Sequence, residues 1–270
     1  MESCLHPFKL NFGDGVKAQL PTSPEFSLKK LWLSGLDFKL FELSASFRDK
    51  ELGGMHLNEF TMLEFYVAGA PFEELSSFTG DFLCAQLKIK SNAYQILSLN
   101  ELFKTFLGFE LKPDSDENFL KEVSSFHNIK FPASATWSDL FHVLFIEKIE
   151  PVLSKGLLAI KNYPPQLSAL AKINKKGWSE RVEFYYQGLE LGNGYNELLD
   201  ADEVLKRWNK ENELRLFEGF EPHPLDQEFI EVHRKPKIES GVGMAIGLER
   251  LFWLTQEKPG EHIGVWPFNF

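Results

Sequence analysis

The first part of the chain combines a short alternating pattern with a helical one. Polar and apolar positions alternate over residues 8–20 around a Gly-Asp-Gly sequence, which predicts a β-hairpin with a glycine-containing turn. The next segment, TSPEFSLKKLWLSGL, predicts a helix that Thr22 or Ser23 can cap, with Pro24 in its first turn. Gly35 would end this helix, because glycine adopts the left-handed conformation readily.

Two long aromatic-rich segments and a helical region occupy the middle of the chain. The segments FKLFELSASF and EFTMLEFYVAG have the length and alternation of strands, and the polar loop 48–56 separates them. We therefore expect two long antiparallel strands with a flexible connection. Residues from about 72 to 174 carry amphipathic patterns such as FEELSSFTGDFLCAQLK, which predict a mostly helical insertion.

The last part of the chain returns to strands. RVEFYYQGLELGNGY predicts two strands that turn near Gln187-Gly188, and DADEVLKRWNKENELRLFE predicts a long polar helix. ESGVGMAIGLERLFWL predicts a strand, a glycine turn and a helix. Strands, helices and strands in this order indicate one domain, residues 1–270, of the α+β class built on an antiparallel sheet.

Composition narrows the function classes. The chain has 29 Lys and Arg residues and 39 Asp and Glu residues, which give a net charge of −10. Because a negative charge repels a phosphate backbone, broad nucleic-acid binding is not expected. Cys4 and Cys84 lack CxxC spacing and are typical of a reducing cytoplasm, not of a disulfide framework or a zinc site. Apolar runs stay short of membrane-spanning length and the start does not resemble a signal peptide, so we expect a cytoplasmic protein.

The segment SFRDKELGGMHLNEF carries residue types that suit a nucleotide. Arg48 would end a strand, and the loop with His56 can close over a polyphosphate. Phe60 offers a face for a planar base. Taken alone, the segment is better explained by Arg48 as a solvated surface charge than by a nucleotide site.

The segment RVEFYYQGLELGNGYNEL carries two carboxylates across a tight turn. Glu183 and Glu190 can converge on adjacent strands, where they repel each other unless a cation lies between them. Magnesium prefers such oxygen ligands. The alternative is a pair of solvated glutamates, but the neighbouring apolar residues favour burial and therefore a metal.

The segment GVGMAIGLER carries glycines at 241, 243 and 247 that allow close approach to a ligand, towards which Arg250 would point. Close packing of a strand and a helix requires the same glycines, so both interpretations stay open.

In order and approximate spacing, these segments resemble motifs 2 and 3 of the class II aminoacyl-tRNA synthetases. The similarity is strongest to the lysyl-tRNA synthetase branch and, within it, to the stand-alone elongation factor P–lysine ligases. It covers nearly the whole chain and rests on TSPEFSLKKL, HLNEFTMLEFY, FYYQGLELGNGYNEL, HPLDQEFIE and GVGMAIGLERL. The resemblance implies an antiparallel sheet flanked by helices, with ATP and Mg2+ as cofactors and the metal held by Glu183 and Glu190. It also implies that lysine or β-lysine is activated as an acyl-adenylate and transferred to a lysine of elongation factor P.

The resemblance further implies roles at the nucleotide. Arg48 would hold the α-phosphate and the substrate carboxylate, where charge develops during the reaction. Phe60 and Arg250 would sandwich adenine, and Arg48 and Arg250 would be the two catalytic arginines. His56 would reach the outer phosphates.

Five further residues would bind the amino acid. Glu25 would receive the amino group nearer the substrate carboxylate, and Asn193 would help to fix that carboxylate. Glu64, Tyr66 and Glu197 would recognise the distal ammonium, because two carboxylates and a phenol in a closed pocket suit a buried cation.

Two substrate-binding positions separate the relatives from each other. Lysyl-tRNA synthetases usually carry alanine where this chain has Ser23 and glycine where it has Ala245, and both differences resemble the elongation factor P ligases, which use β-lysine. The methyl group of Ala245 would crowd the α-amino position of lysine. One methyl group contributes only about 1–3 kcal/mol, so this favours β-lysine without excluding lysine.

The chain departs from the family pattern in motif 2. Lys50 replaces the glutamate that accepts a hydrogen bond from adenine, and an ammonium group cannot accept one. Glu51 would substitute if the loop shifts by one residue. Gly54 replaces a loop arginine, which removes one phosphate contact.

The expected assembly departs from the family as well. Motif 1, which forms the class II dimer interface, should precede residue 5 and is absent from this sequence, as is the N-terminal anticodon-binding domain. A homodimer is therefore in question, and tRNA is not an expected partner. Two alternatives to an active ligase stay open: a catalytically degenerate paralogue that binds a ligand or protein, and a truncated lysyl-tRNA synthetase core.

Overall fold

The structure, a computed structural model, describes residues 5–49 and 56–256, which divide into two units. Residues 5–49, 56–71, 86–88 and 197–256 form the first unit, and residues 72–85 and 89–196 form the second. Within the described residues, no helix has the length and apolar character needed to cross a membrane.

The secondary structure alternates between strands and helices in blocks. The strands are β1 (Lys9–Asn11), β2 (Lys17–Gln19), β3 (Lys39–Phe47), β4 (Glu59–Ala68), β5 (Tyr94–Ser98), β6 (Leu157–Tyr163), β7 (Ser179–Tyr186), β8 (Leu189–Asn196) and β9 (Gly241–Gly247). The α-helices are α1 (Glu25–Leu33), α2 (Phe72–Gln86), α3 (Leu99–Leu102), α4 (Glu117–Phe126), α5 (Trp137–Leu144), α6 (Ala201–Phe217), α7 (Gln227–Arg234) and α8 (Leu248–Leu254). The π-helical turns Phe103–Leu107 and Phe145–Ile149 extend α3 and α5.

The first unit contains the predicted hairpin β1–β2 and three longer antiparallel strands in the order β3-β4-β9. The cross-strand register places Ala245 opposite Glu64 and Gly243 opposite Tyr66. Because side chains on a strand alternate between faces, these positions share one face of the sheet. A core that includes Leu28, Trp32 and Tyr66 packs between α1 and these strands.

Helix α1 begins and ends nearly as predicted. Pro24 is its N-cap and provides no side-chain hydrogen bond, while the Ser23 hydroxyl accepts a long bond of 3.4 Å from the Glu25 backbone N–H. Gly35, with φ +75°, follows the last residues of the helix and adopts the left-handed conformation that glycine tolerates.

The second unit contains four strands in the order β8-β7-β6-β5 and most of the helices. The predicted hairpin β7–β8 turns at Gln187 and Gly188, whose φ values of 52° and 82° fit a tight turn with a right-handed strand twist. The core is built from aliphatic and aromatic side chains of α3, α4 and α5 packed on β6 and β7. Residues 72–153 of the region predicted to be mostly helical (about 72–174) are mostly helical. The region also contains the parallel strand pair β5–β6, which was not predicted.

The sheet segments and their flanking helices confirm the α+β class. The long polar helix is α6, which the Asp200 side chain caps by accepting hydrogen bonds from two backbone N–H groups. Helix α7, capped in the same way by Asp226, lies in a segment for which no element was predicted.

Candidate active site

A pocket of buried charged side chains lies in the first unit, on the face of β4 that carries Glu64 and Tyr66. Both side chains are buried, and the Tyr66 hydroxyl donates a hydrogen bond to the Glu64 carboxylate. Strand β9 places the small residues Gly243 and Ala245 directly opposite them. The small residues of β9 let the larger side chains of this face pack closely against the strand.

Helix α1 adds a carboxylate and an ammonium group to this pocket. Glu25 and Lys29 are one helical turn apart, and the Lys29 Nζ atom lies 2.6 Å from Glu25 Oε1. The same Nζ atom lies 2.7 Å from Oε2 of Glu197, which follows β8 in the chain. The Lys29 and Glu197 side chains are only 2% and 1% exposed, so this pair is excluded from solvent, whereas the Glu25 side chain is 17% exposed. The Lys29 ammonium also lies 5.5 Å from the centre of the Tyr66 ring.

Burial and proximity set the protonation of these groups. The pKa of Glu64 is raised to about 8, and burial is the largest cause. The neighbouring Glu25 charge raises this pKa by more than the Lys29 charge lowers it. Burial acts in the same direction on Glu25 and is the largest single effect, but the nearby positive charges, Lys29 first, and the hydrogen bond from Lys29 together outweigh it and lower the pKa to about 2. Burial alone would lower the pKa of Lys29, yet Glu197 and Glu25 raise it above its ordinary value. The pocket therefore holds the Lys29 ammonium, ionised Glu25 and a carboxyl group, that of Glu64, which keeps its proton at neutral pH.

The glycines of β9 are required by close approach. A Cβ atom at Gly243 would lie under 3.0 Å from the Glu197 carboxylate and the Tyr66 ring. At Gly241 it would lie 2.5 Å from the Trp32 ring and 2.6 Å from the Val67 carbonyl oxygen. By contrast, a Cβ at Gly247 would meet nothing within 4 Å. Gly241 and Gly243 thus serve strand and side-chain packing around the pocket.

The residues predicted to bind ATP in the first unit are only partly brought together. The Arg48 guanidinium lies 5.1 Å from the centre of the Phe60 ring, and its Nε donates to the Thr22 carbonyl oxygen at 3.2 Å. Arg250 is half-buried on α8, and His56 is exposed. This arrangement fits a planar base and a phosphate, since an aromatic face lies beside a guanidinium. The predicted alternative ligand Glu51, like Lys50 and Gly54, lies outside the described residues.

The predicted metal ligands belong to the second unit, where Glu183 lies opposite Asn193 and Glu190 opposite Tyr185. Because Glu183 and Tyr185 are two residues apart, Glu183 and Glu190 share one sheet face, as predicted. The Glu183 carboxylate, however, is already surrounded by donors.

Arg181 contacts Glu183 Oε1 through Nε at 2.9 Å and through Nη2 at 2.6 Å. The hydroxyls of Tyr163 and Tyr185 donate to Oε2 at 2.5 and 2.7 Å. A carboxylate offers about four lone-pair sites, and these four contacts use them. In this arrangement Glu183 does not fit a magnesium ligand. Among the described residues, no group of three or more His, Cys, Asp or Glu side chains is placed to hold a metal ion.

Among the predicted amino-acid ligands, Glu25, Glu64, Tyr66 and Glu197 meet in one pocket of the first unit, and Ala245 lies at its edge opposite Glu64. Lys29 is the contributor that sequence reasoning missed. Its i, i+4 spacing from Glu25 is that of an ion pair along a helix, but nothing local connects it to Glu197.

Comparison with known proteins agrees with this architecture. Residues 4–260 match the family described as tRNA synthetases class II (D, K and N). The chain belongs to this family of class II synthetases. It is 32% identical over 261 residues, which are 96% of this chain and 84% of the relative, to a protein of Aquifex aeolicus (strain VF5). That relative is named elongation factor P–(R)-β-lysine ligase homolog.

Proposed function

We propose that the protein activates a lysine-like amino acid, β-lysine in particular, with ATP and transfers it to a lysine of elongation factor P. The observation that carries this proposal is the pocket of Glu25, Glu64 and Glu197 with Tyr66. Buried carboxylates are costly unless cations compensate them, and a single ammonium group, that of Lys29, is shared between two of them. A ligand with two ammonium groups would supply the missing positive charge.

The reaction follows from the side chains around Arg48. A carboxylate oxygen of the amino acid attacks the α-phosphorus of ATP, and the bond to the pyrophosphate leaving group breaks. The Arg48 guanidinium would stabilise the negative charge that develops there, while Phe60 would hold the adenine ring in place. In the second step the acceptor lysine amine attacks the acyl carbon, releases AMP and loses a proton as the amide forms.

The relative's name supports β-lysine and elongation factor P as substrates, and so does Ala245. This residue lies directly opposite Glu64, where an added methyl group changes the shape of the pocket beside its carboxylates. ATP and Mg2+ belong to the same proposal, with Arg48, Phe60, His56 and Arg250 at the nucleotide.

The test is pyrophosphate exchange into ATP with Mg2+ and, in parallel, lysine, each β-lysine enantiomer or no amino acid. We expect exchange to be fastest with one β-lysine enantiomer and to be abolished by Arg48→Ala. Lys9→Ala, which removes an exposed lysine paired with Glu221, serves as the control that keeps full exchange. Exchange with lysine alone would favour a lysyl-tRNA synthetase core, and absence of exchange with every isomer would reject the ligase reaction.

A second function, binding of the amino acid without adenylation, is favoured by the environment of Glu183. A carboxylate saturated by Arg181, Tyr163 and Tyr185 has no lone pair left for Mg2+. Calorimetry separates the two functions, because a degenerate paralogue would bind a lysine isomer and yet give no pyrophosphate exchange.

A further inference from the structure

Lys29 lies between two carboxylates to which the proposed function gives different tasks. Glu25 would hold the amino group nearer the substrate carboxylate, whereas Glu197 would hold the distal ammonium. The Lys29 Nζ atom bridges them with distances of 2.6 and 2.7 Å. One side chain of the protein therefore joins both ammonium subsites.

Lys29 also completes the charge of the pocket. Glu25, Glu64 and Glu197 carry three negative charges when all are ionised, and Lys29 reduces this excess to two. Two is the number of ammonium groups in a diamino acid. Without Lys29, the carboxylates would repel one another in a medium where water cannot screen them.

The side chain of Lys29 is confined by its surroundings. The neighbouring residues Leu28, Trp32 and Leu33 of α1 are buried, so the helix presents this face to the core. The ammonium is held by two ion pairs and lies near the Tyr66 ring. Moving it towards solvent would break both ion pairs, and breaking a buried ion pair is strongly destabilising.

We propose that Lys29 is a positioning residue that ties Glu25 to Glu197 and thereby fixes the separation between the two ammonium subsites. The pocket then selects a diamino carboxylic acid by the spacing between its two amino groups. This inference rests on the proposed function and deepens it. It adds a specificity determinant that does not itself react with the substrate.

The variants Lys29→Met and Lys29→Arg test this role. Methionine keeps the approximate length without the charge, while arginine keeps the charge. Lys30→Met is the matched control, since Lys30 is the next residue of α1 and pairs with Asp226 and Glu228 instead. Calorimetry gives the Kd of lysine, both β-lysine enantiomers and 6-aminohexanoate for each variant, and circular dichroism verifies that each is folded.

For Lys29→Met we expect the ratio of Kd values between the isomers to fall by about tenfold, because the two carboxylates are no longer held at one separation. The pH at which binding is strongest should also move, because Glu25 loses the nearby ammonium that lowers its pKa. Lys29→Arg should restore part of the ratio, and Lys30→Met should keep it entirely.

Two results would overturn the inference while the proposed function stands. One is an unchanged isomer ratio and pH profile in folded Lys29→Met. The other is tighter binding of every isomer, which would make Lys29 a competitor for the subsite instead of its organiser. If the wild-type protein binds none of the isomers, the proposed function fails, and the specificity role of Lys29 fails with it.

Discussion

The Tyr66 hydroxyl donates a hydrogen bond to the Glu64 carboxylate two residues earlier on β4, and both side chains are nearly excluded from water. This pair forms the part of the pocket where a carboxyl retains its proton. Its partner carboxylate Glu25 is ionised by Lys29. The pocket thus contains carboxyl groups with different proton affinities, because burial and the Glu25 charge raise the pKa of Glu64, whereas the charges around Glu25, Lys29 first among them, lower its own pKa.

Binding of a lysine isomer should release a proton from Glu64. The pKa of Glu64 is raised to about 8, so this carboxyl group is largely protonated at pH 7. A ligand ammonium beside it favours the ionised form, and the association constant should rise by up to about tenfold per pH unit from pH 6 to 8. Calorimetry at pH 7 in phosphate and in Tris, whose ionisation enthalpies differ, measures this proton. Glu64→Gln should abolish the buffer dependence, and equal enthalpies for the wild type would contradict the prediction.

The same carboxyl should make the ligand-free protein less stable as pH rises. A glutamate of the unfolded chain ionises near pH 4.5, whereas folded Glu64 keeps its proton until about pH 8. Between these values the unfolded state binds fewer protons, so the free energy of unfolding falls with increasing pH. From pH 5 to pH 8, the free energy of unfolding of Glu64→Gln should rise by about 2–4 kcal/mol relative to that of the wild type, as measured by urea denaturation. The same difference between the two proteins at both pH values would refute the prediction.

Gly243→Ala should damage the pocket, while Gly247→Ala should not. The new Cβ at 243 would come under 3.0 Å from the Glu197 carboxylate and the Tyr66 ring, whereas at 247 it meets open space. We expect Gly243→Ala to lower the free energy of unfolding by about 1–3 kcal/mol and to weaken binding of a lysine isomer. Thermal denaturation and calorimetry check both effects. Equal behaviour of the two variants would show that β9 is not tightly packed there.

Arg181→Met should destabilise the protein, because it leaves buried Glu183 without its cation. Arg181 contacts Glu183 Oε1 through two nitrogen atoms, at 2.9 and 2.6 Å. Breaking such a pair typically costs about 3 kcal/mol or more. Arg234→Met removes an exposed pair with Glu231 and should cost about 0–1 kcal/mol. If Mg2+ alone restores the stability of Arg181→Met, then Glu183 can serve as a metal ligand once its donors are removed.

Local patterns were sufficient for the elements that frame the pocket. Helix α1 and strands β3, β4, β7, β8 and β9 were predicted from residue patterns and from nearby turn glycines such as Gly35 and Gly188, and all of them form as predicted. Strands β5 and β6 were missed because Leu157–Tyr163 is a short apolar run, and periodicity cannot distinguish a buried strand from a buried helix. Helix α7 is short and lies in a polar segment.

The sequence predicted those residues of the candidate site that are characteristic of the family. Glu25, Glu64, Tyr66 and Glu197 follow from the family resemblance, and the structure brings them together. Lys29 could not be predicted, because lysine is almost always exposed and its partner Glu197 is distant in the sequence. The saturation of Glu183 depends on Tyr163 of another strand, so it too required the tertiary structure.

Strand β3 should mediate self-association. It pairs with β4 alone among the described residues, and it exposes Phe41 by 71% and Leu43 by 58% on one face. An exposed strand edge with large apolar side chains is a template for pairing with another chain. We expect the sedimentation coefficient of the wild type to rise with concentration, and that of Phe41→Lys to stay at the monomer value. Phe217→Lys, which changes an exposed phenylalanine on α6, is the control that should still associate. A monomeric wild type at every concentration would exclude β3 as an interface, and loss of association in both variants would assign the effect to added charge.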